Sequence, residues 1–411
     1  MVSLLTWLFV AYGGGHAKAL LPVARQVQAQ GLAQVQFLAL TTAAAEVRAA
    51  GLPTVGFADL LGPGDEAARR HGEVLADGLA VQAAARDESV AYLGLSYQAL
   101  VEEVGEEEAA RRYARFGRQC FLPVTVLERA LARWQPSLVL TTNSPRAERA
   151  ALLAARRAGI ASLCLVDLFG VWERDWLARP DYADAVCVLN EAVRASLLQA
   201  GRPADHVHVT GNPAFDGIGD PAWRAQGAQL RREAGWDGLR VLLYASSPEP
   251  RHVAGVEGEG DERWPRQVEE ALIAAVQADA SLALWVRRHP SEAAPESVAA
   301  LAHPRIRVAA GPLHAFLQAS DEVLVTVSTV GIEAWLAGRA VTQVRGSILD
   351  GLSPYLAMGI AQRELRLHEI AAGLRRAPAA ARVVPPAPSS AAARVLDVAL
   401  GLVSGRQGAG P

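Results

Sequence analysis

Ser328–Val344 reads STVGIEAWLAGRAVTQV, and this stretch decides how the second half of the chain is interpreted. It follows the apolar run Asp321–Val327, which predicts a buried strand. After two hydroxyl residues it continues into a helix, a glycine and another apolar run, the succession expected of a parallel sheet covered by helices. A helix that begins directly after a parallel strand presents free backbone N–H groups, which favour an anion.

Four residues of this stretch form a candidate nucleotide site. Ser328 and Thr329 can donate hydroxyl hydrogen bonds to a phosphate, and Gly331 lies beside them. Glu333, one turn into the helix, is the residue type that accepts two hydrogen bonds from a ribose diol. The alternative is an ordinary helix start with a glutamate in its first turn, which stabilises helices in general.

Composition excludes several classes of function. The chain has 411 residues, of which 51% are hydrophobic and 20% charged, so it can bury a large core. A net charge of −3 argues against a nucleic-acid partner. Cys120, Cys164 and Cys187 are far apart in sequence and form no CxxC pair, so we expect free thiols and no metal site.

The first residues predict a core strand rather than an export signal. Met1–His16 is apolar for much of its length, but it has no basic start and no small-residue cleavage site. No apolar run approaches the roughly 20 residues that span a bilayer. We therefore expect a cytoplasmic protein, and we leave open a peripheral contact with the inner face of a membrane.

Apolar strand-like runs alternate with amphipathic helices along both halves of the chain. This pattern predicts two doubly wound, Rossmann-like α/β domains that face a cleft. The predicted parts are an N-terminal acceptor-side domain over 1–212 with a helical insert near 62–119, a nucleotide-sugar domain over 213–384, and a linker, helix and tail over 385–411. The predicted strands are Leu4–Ala11, Val35–Leu40, Leu138–Thr142, Ser162–Val166, Ala185–Leu189, His206–Thr210, Arg240–Ala245, Ser281–Val286, Arg305–Val308, Glu322–Val327 and Ala340–Val344.

Glycines follow the first strand at Gly13, Gly14 and Gly15, directly before His16 and a helix predicted over Lys18–Gln30. Glycines let the backbone approach a ligand closely, and we assign Gly14 and Gly15 to donor binding. The spacing is not GxGxxG and no acidic residue ends the second strand, so a dinucleotide site is disfavoured. His16 lies where a general base would act.

Polar residues also end two strands of the second half. Arg287, Arg288 and His289, before Pro290, form a compact corner that can face a phosphate. Ser246 and Ser247 end another strand and add hydroxyl donors. Each group has a plainer explanation as a polar turn or a serine-capped loop.

Three groups mark the corresponding strand ends of the first half. Asn143, Ser144 and Arg146 follow one strand and are candidates for binding an acceptor. Asp167, in LVDLFG, is the alternative to His16 as the base. Thr210–Pro213 lies at the predicted domain junction, where it would position a hinge.

Together these motifs resemble the GT-B glycosyltransferases and the related non-hydrolysing UDP-N-acetylglucosamine 2-epimerases. The GGGH turn is similar to the first loop of lipid II-forming and diacylglycerol-modifying transferases, and VTGNPAFD resembles the junction motif of the epimerases. STVGIEAWLAGRAV resembles the donor-binding helix, and RRHP resembles the His-Pro motif of capsule-type transferases. The resemblance implies that Glu333 holds the ribose and that His289 contacts the donor phosphate.

The chain departs from the epimerase pattern at several positions. GGGHAK stands where the epimerases have a lysine in an Arg-Pro-Glu context, and SSPEPRH stands where they have HRxEN. TTNSPRAE and VDLFGVWE replace loops that carry carboxylates in the epimerases. These departures favour glycosyl transfer, which needs a single base, over epimerisation.

The sequence thus predicts an inverting glycosyltransferase that uses no metal or other cofactor. Its expected partners are a nucleotide-sugar donor and a cell-surface glycan or lipid-linked acceptor, and a homodimer is left open. The alternatives are a nucleotide-sugar epimerase or hydrolase, and a binding protein without activity. Neither a GxSxG nucleophile motif nor a phosphate-binding GxxxxGK[ST] loop is present.

Overall fold

The computed structural model describes residues 5–77, 83–253, 255–289, 291–292, 303–378 and 389–407. The chain divides into two units: unit 1 comprises Met1–Asp216 with Ser389–Pro411, and unit 2 comprises Gly217–Pro388. The division falls within the Gly- and Pro-rich segment at which the sequence predicted a domain junction. Pro290 and most of the predicted linker lie outside the described residues.

Unit 1 is built on a seven-stranded parallel sheet in the order β3-β2-β1-β4-β5-β6-β7. Its strands are β1 Thr6–Ala11, β2 Gln34–Ala39, β3 Thr54–Val55, β4 Leu138–Thr141, β5 Ala161–Leu165, β6 Ala185–Val188 and β7 Val207–Val209. Its helices before the junction are α1 Gly14–Ala29, α2 Thr42–Ala49, α3 Glu66–Ala76, α4 Ala83–Val104, α5 Glu106–Phe116, α6 Val124–Trp134, α7 Ala147–Arg157, α8 Arg174–Leu177 and α9 Glu191–Gln199.

Both faces of this sheet are buried, because successive side chains of a strand point to opposite faces. Trp7 and Phe9 of β1 pack with α1 and α2 on one face, whereas Leu8 and Val10 pack with α4, α6 and α7 on the other. The insert predicted near 62–119 is largely helical in its described residues. Its helices pack as a layer of the core on one face of the sheet and do not form a projecting arm.

Unit 2 has a six-stranded parallel sheet in the order β10-β9-β8-β11-β12-β13. Its strands are β8 Arg240–Ala245, β9 Leu282–Arg287, β10 Ile306–Val308, β11 Glu322–Val325, β12 Ala340–Arg345 and β13 Arg363–Arg366. Its helices are α10 Pro221–Ala234, α11 Trp264–Ala278, α12 Leu313–Ala319, α13 Val330–Leu336 and α14 Ile370–Leu374. The prediction of two doubly wound, Rossmann-like domains is confirmed.

The C-terminal helix α15, Ala391–Gln407, belongs to unit 1 although it follows unit 2 in the sequence. Its side chains Ala392, Val395 and Ala399 are part of the α1 face of the core. Asp216 accepts hydrogen bonds from the backbone N–H groups of Ala391 and Ala392, at 2.6 and 2.9 Å, and so fixes the start of the helix. The chain thus returns to its first unit.

The predicted strands agree with the structure to within about two residues. Two short edge strands, β3 and β13, were missed. The largest correction concerns α1, which begins at Gly14 rather than Lys18: Gly13 is its extended N-cap, and Ala17 N–H donates to the Gly13 carbonyl at 2.9 Å. Gly14, Gly15 and His16 therefore form the first turn of a helix rather than a loop.

Two further expectations concern burial and membranes. Cys164 and Cys187 are buried free thiols, as predicted. None of the described helices combines the length and the apolar character that crossing a bilayer requires.

Candidate functional site

Charged side chains from three segments meet at the carboxyl edge of the unit 1 sheet. His16 comes from the first turn of α1, Glu148 from the first turn of α7, and Asp167 from the loop after β5. In a parallel sheet these strand ends lie at one edge, where ligands of doubly wound domains bind. The structure therefore brings together His16 and Asp167, which the sequence offered as alternative bases, and it places Glu148 on the other side of the His16 ring.

Glu148 is the centre of this cluster and is fully buried. One carboxylate oxygen accepts from the Tyr12 backbone N–H at 2.7 Å and contacts His16 Nδ1 at 2.9 Å. The other accepts from the Thr142 hydroxyl at 2.5 Å and from the Ser144 N–H at 2.9 Å. These donors and the charge of His16 outweigh the effect of burial, so the pKa of Glu148 is lowered and the residue is ionised.

His16 is held as a cation between two carboxylates. Its Nε2 atom lies 3.7 Å from the Asp167 carboxylate, and its side chain is 25% exposed. Burial by itself lowers the pKa of His16, but the charge and hydrogen bond of Glu148, with smaller effects from Asp167 and Glu173, raise it to about 9. At neutral pH the ring is thus an imidazolium, which orients and stabilises negative charge and has no lone pair with which to accept a proton.

Asp167 is better suited than His16 to accept a proton. Burial raises its pKa, which opposes the lowering effect of the His16 charge, and its side chain remains 26% exposed. Its backbone is fixed on both sides: its N–H donates to the Asn143 amide oxygen at 3.0 Å, and its carbonyl accepts from the Asn212 side chain at 2.6 Å. Asn212, predicted at a hinge, thus fixes the loop that carries the candidate base.

A further carboxylate, Glu173, completes the cluster. Burial raises its pKa, Asn143 hydrogen-bonds its side chain, and both Asp167 and His16 affect its titration. Asn143 therefore connects Asp167 with Glu173, and Ser144 contributes its backbone N–H to Glu148. These two residues, predicted to bind an acceptor, are buried and arrange the acid–base groups.

Arg146, the third residue assigned to the acceptor, stacks on Tyr12. Its guanidinium carbon lies 4.3 Å from the centre of the tyrosine ring. Tyr12 is the residue whose N–H donates to Glu148, so the arginine lies next to the cluster along the sheet edge.

In unit 2, the segment quoted at the start forms the carboxyl end of β11 and the helix α13. Ser328 is buried and its carbonyl accepts from the Tyr355 hydroxyl at 2.6 Å, whereas Thr329 is exposed. A Cβ atom at Gly331 would lie 3.0 Å from Val325 and 3.4 Å from the Tyr355 ring. Glycine is thus needed there for close packing of the helix on the strand.

Glu333 faces a residue that the sequence did not single out. Its carboxylate lies 3.1 Å from Nε2 of His314, in the first turn of α12. The His314 ring also makes an edge contact with Trp223 of α10, at 5.3 Å between ring centres. His314 therefore contacts one carboxylate oxygen of Glu333, the residue predicted to bind the ribose.

The predicted phosphate corner is largely engaged in internal bonds. Arg288 forms a two-point ion pair with the buried Glu269, with one contact at 2.9 Å. Arg287 donates to the Gly311 carbonyl at 2.8 Å, with its side chain partly exposed. Arg288 thus stabilises α11 on the sheet, and of the two arginines Arg287 is the one without a carboxylate partner within 4 Å among the described residues.

Ser246 and His289 of this corner share one partner, Glu292. It accepts from the Ser246 hydroxyl at 2.7 Å and from the His289 backbone N–H at 2.7 Å. The His289 ring is exposed and contacts the Ser291 hydroxyl at 2.7 Å. Ser247 makes no hydrogen bond within the part of the chain that the structure describes, so it and His289 are the most available donors here.

Sequence reasoning missed the roles of Glu148, Glu173 and His314. A signal for Glu148 existed: it falls on the stripe of α7 that is otherwise alanine and leucine, where a charge must be paired. Glu173, in VWERDW, and His314, in PLHAFL, do not fall on such a uniformly apolar stripe. In the described ranges no group of three or more His, Cys, Asp and Glu side chains has the arrangement of a metal site.

Comparisons with solved structures find the same fold. The UDP-GlcNAc 2-epimerase of Neisseria meningitidis bound to UDP-GlcNAc is 12% identical, with a TM-score of 0.56 over 97% of this chain and 100% of that one. The S. aureus MnaA–UDP structure is also 12% identical, with a TM-score of 0.56 over 97% and 98% of the two chains. The Methanocaldococcus jannaschii UDP-GlcNAc 2-epimerase in complex with UDP-GlcNAc and UDP is 11% identical, with a TM-score of 0.51 over 96% and 99%.

No family model and no curated protein matches the sequence. Identities of 11–14% establish likeness of fold and nothing finer. At the level of fold the resemblance inferred from the sequence motifs is confirmed: the chain has the fold of the UDP-GlcNAc 2-epimerases.

Proposed function

We propose that this protein is a nucleotide-sugar-dependent glycosyltransferase that needs no metal, with inversion at the anomeric carbon. In this proposal unit 2 binds the nucleotide, and unit 1 supplies the base and binds the acceptor, a cell-surface glycan or lipid-linked saccharide. The observation that carries the proposal is the cluster of Glu148, His16 and Asp167 at the carboxyl edge of the unit 1 sheet.

The cluster suits proton abstraction from a hydroxyl group. Asp167 accepts the proton of the acceptor hydroxyl, whose oxygen attacks the anomeric carbon while the bond from that carbon to the nucleotide phosphate breaks. The His16 imidazolium, fixed by the ionised Glu148, holds the Asp167 carboxylate in place and stabilises nearby negative charge. Positioned general-base catalysis of this kind contributes roughly 10²–10⁴-fold in rate.

In unit 2 we assign the ribose to Glu333 and phosphate oxygens to the donors left available by the internal bonds. These are the Thr329 and Ser247 hydroxyls, the His289 ring and the Arg287 guanidinium. Ser246 and Arg288 shape this edge through Glu292 and Glu269 and are positioning residues in the proposal. The complexes of similar folds with UDP-GlcNAc and UDP support a nucleotide-sugar ligand.

Epimerisation of a nucleotide sugar is the second candidate, and Glu173 is the observation that favours it. The pKa values of two carboxylates, Asp167 and Glu173, are raised by burial, and the charges of both act on the same imidazolium. Removal of a proton from a sugar carbon and its return from the other face need two such groups. The UDP-GlcNAc 2-epimerases of the same fold add support.

The experiment begins with thermal shifts of the purified chain against UDP, CMP, CDP, GDP and their sugar conjugates. A ligand at about 100 times its Kd stabilises the folded state by about 2.7 kcal/mol. With the donor thus identified, Asp167→Asn is expected to lower kcat by about 10²–10⁴-fold and to leave the nucleotide Kd unchanged. Asp181→Asn, an exposed aspartate of the same unit, is the matched control.

Incubation of the donor without acceptor in deuterated water separates the two candidates. A transferase leaves the sugar intact, whereas an epimerase forms the second epimer with deuterium on the carbon and loses this activity in Glu173→Gln. If nucleotides bind and neither reaction occurs with any acceptor, the protein is a binding protein and the proposal fails.

A further inference from the structure

Two arginines at the start of α7 differ from every other half-buried arginine among the residues that the structure describes. Arg146 and Arg149 are both partly buried, and neither side chain makes a hydrogen bond or an ion pair with any described residue. The other arginines of similar or lower exposure in the described ranges all donate to a carbonyl or a carboxylate. Arg202, for example, donates to three backbone carbonyls, and Arg363 pairs with Glu322.

Both guanidinium groups are held flat by an aromatic ring. Arg146 lies over Tyr12 at 4.3 Å, and Arg149 lies over Trp176 at 4.7 Å. Stacking occupies the face of a guanidinium and leaves its N–H donors, which point outward in its plane. The Nε atom of each arginine is buried and has no hydrogen-bond partner. An unpaired buried donor destabilises the folded state, so two of them call for an explanation.

The two arginines lie close together at the start of α7. Arg146 is the N-cap residue, with the non-helical dihedral angles φ −111° and ψ −105°, and Arg149 is the third residue of the helix. At about 100° per residue, Arg149 lies opposite the buried residues Ala147, Ala151 and Ala154. The two side chains start within about one helical turn of each other, so a single ligand can contact both.

The position of this pair connects it with the candidate site. Tyr12 directly precedes the glycines before His16, and Trp176 lies in α8, three residues after Glu173. Glu148, which fixes His16, lies between the two arginines in the sequence. The pair is therefore at the same strand ends as the acid–base cluster. The two groups differ in charge: the acid–base cluster carries carboxylates, whereas the two arginines are cations without an ion-pair partner among the described residues.

We propose that Arg146 and Arg149 form a subsite for an anionic group, a phosphate or a carboxylate, carried by the molecule on which unit 1 acts. Planar guanidiniums bind such groups with two parallel hydrogen bonds each. This inference rests on the proposed function and narrows it: the acceptor is acidic. Arg146, already predicted to bind the acceptor, is thus assigned to the acceptor's anionic group. Arg149 is added to the residues proposed to bind the acceptor.

The test measures anion binding by the full chain with isothermal titration calorimetry. The probes are inorganic phosphate, acetate, and vesicles of phosphatidylcholine with or without phosphatidic acid. The variants are Arg146→Gln, Arg149→Gln and the double variant. Arg156→Gln is the matched control, because Arg156 lies on the same helix, is exposed and carries the same charge.

The expected result is a Kd at least tenfold higher in the double variant, with the control within twofold of the unchanged chain. If only phosphate binding depends on both arginines, the ligand is a soluble phosphorylated molecule. If acetate binding depends on them as well, the subsite also accepts a carboxylate. If only binding to phosphatidic acid vesicles depends on them, the ligand is a lipid headgroup. Each of these supports the subsite. If the double variant fails to fold, Arg146→Lys and Arg149→Lys retain the charge and should lose affinity through loss of the planar fork.

The inference is overturned if no probe binds the unchanged chain, or if the double variant binds as well as the control. UDP binding is measured on the same proteins, because the arginine substitutions should leave it unchanged. UDP binding without anion binding contradicts the subsite and leaves the proposed function standing. Arginine-dependent anion binding without binding of any nucleotide contradicts the proposed function and leaves the subsite.

Discussion

The carboxyl edges of the two sheets differ in how their charged residues are paired. In unit 2 most of the candidate residues have internal partners: Arg288 with Glu269, Ser246 with Glu292, and Glu333 with His314. In unit 1 an imidazolium lies between two carboxylates, and two arginines nearby have no polar partner among the described residues.

This difference supports the proposed division of roles between the two edges. A group that is already paired by good hydrogen bonds gains little from a ligand and serves mainly to hold loops in place. A group with a shifted pKa or an unmet hydrogen bond can change its state or its partner when a substrate arrives. We therefore assign binding by a preformed surface to unit 2, and proton transfer and anion recognition to unit 1.

The largest effect is expected for Glu148→Ala. Removal of this carboxylate leaves the Tyr12 and Ser144 N–H groups and the buried side of His16 unpaired, and should lower the free energy of unfolding by about 3–5 kcal/mol. Chemical denaturation measures this change in the free energy of unfolding. Glu322→Ala is the control in unit 2, because Glu322 is equally buried and pairs with Arg240 and Arg363.

Both variants should be destabilised, but only Glu148→Ala should shift the titration of His16, followed by NMR. The charge of Glu148 is a main cause of the raised His16 pKa, whereas Glu322 is in the other unit. An unchanged His16 pKa in Glu148→Ala would contradict the assignment of Glu148 as the group that keeps His16 protonated.

The second effect is a loss of stability at alkaline pH. The folded pKa of His16 is about 9, above its ordinary value of 6.5, so the folded chain holds a proton that the unfolded chain releases between these values. The stabilisation is complete below pH 6.5 and is lost as pH rises through 9, by about 3 kcal/mol in total. The midpoints of urea unfolding, measured from pH 6 to 10, report this loss of stability.

His16→Gln is the control for this pH dependence. The variant lacks the titrating ring, so its stability should change less over the same pH range than that of the unchanged chain. Parallel curves for the two proteins would show that His16 does not carry the effect.

The smallest effect separates the two neighbouring arginines of unit 2. Arg288→Ala breaks the pair with buried Glu269, but Arg266 remains 3.2 Å from that carboxylate, so a loss of about 1–2 kcal/mol of stability is expected. The nucleotide Kd should not change. Arg287→Ala, which breaks bonds to carbonyls only, should show the reverse: little loss of stability and weaker nucleotide binding.

Thermal denaturation and nucleotide titration of both variants measure this contrast. Equal loss of nucleotide affinity in the two variants would mean that Arg288 leaves Glu269 when the ligand binds, and that the unit 2 edge is less preformed than the comparison of the two units suggests.

Much of the fold was predictable because buried parallel strands consist of short apolar runs of sequence. Leu138–Thr142 and Arg240–Ala245 were found in this way, and both are central in their sheets. The two-residue edge strand β3 and the polar strand β13, which reads RELR, lack that pattern and were missed. The start of α1 was missed because glycines at 13–15 favour a loop in isolation, whereas packing of the helix on β1 extends it to Gly14.

The site was predictable in its location and less so in its chemistry. Residues at strand ends such as His16, Asp167 and Glu333 were found because parallel strands bring their carboxyl ends to one edge. The partners Glu148, Glu269 and His314 were not, since a pairing across more than 15 residues depends on how helices pack.

The sequence by itself determined two doubly wound domains and the strand ends that hold polar residues. These follow from local patterns of apolar and turn-forming residues. Only the tertiary structure decided that His16 is a cation, that Arg288 is engaged while Arg146 and Arg149 are not, and that the last helix returns to unit 1. The physical reason is that charge state and hydrogen-bond pairing depend on burial and on distances between segments remote in sequence, which no local pattern records.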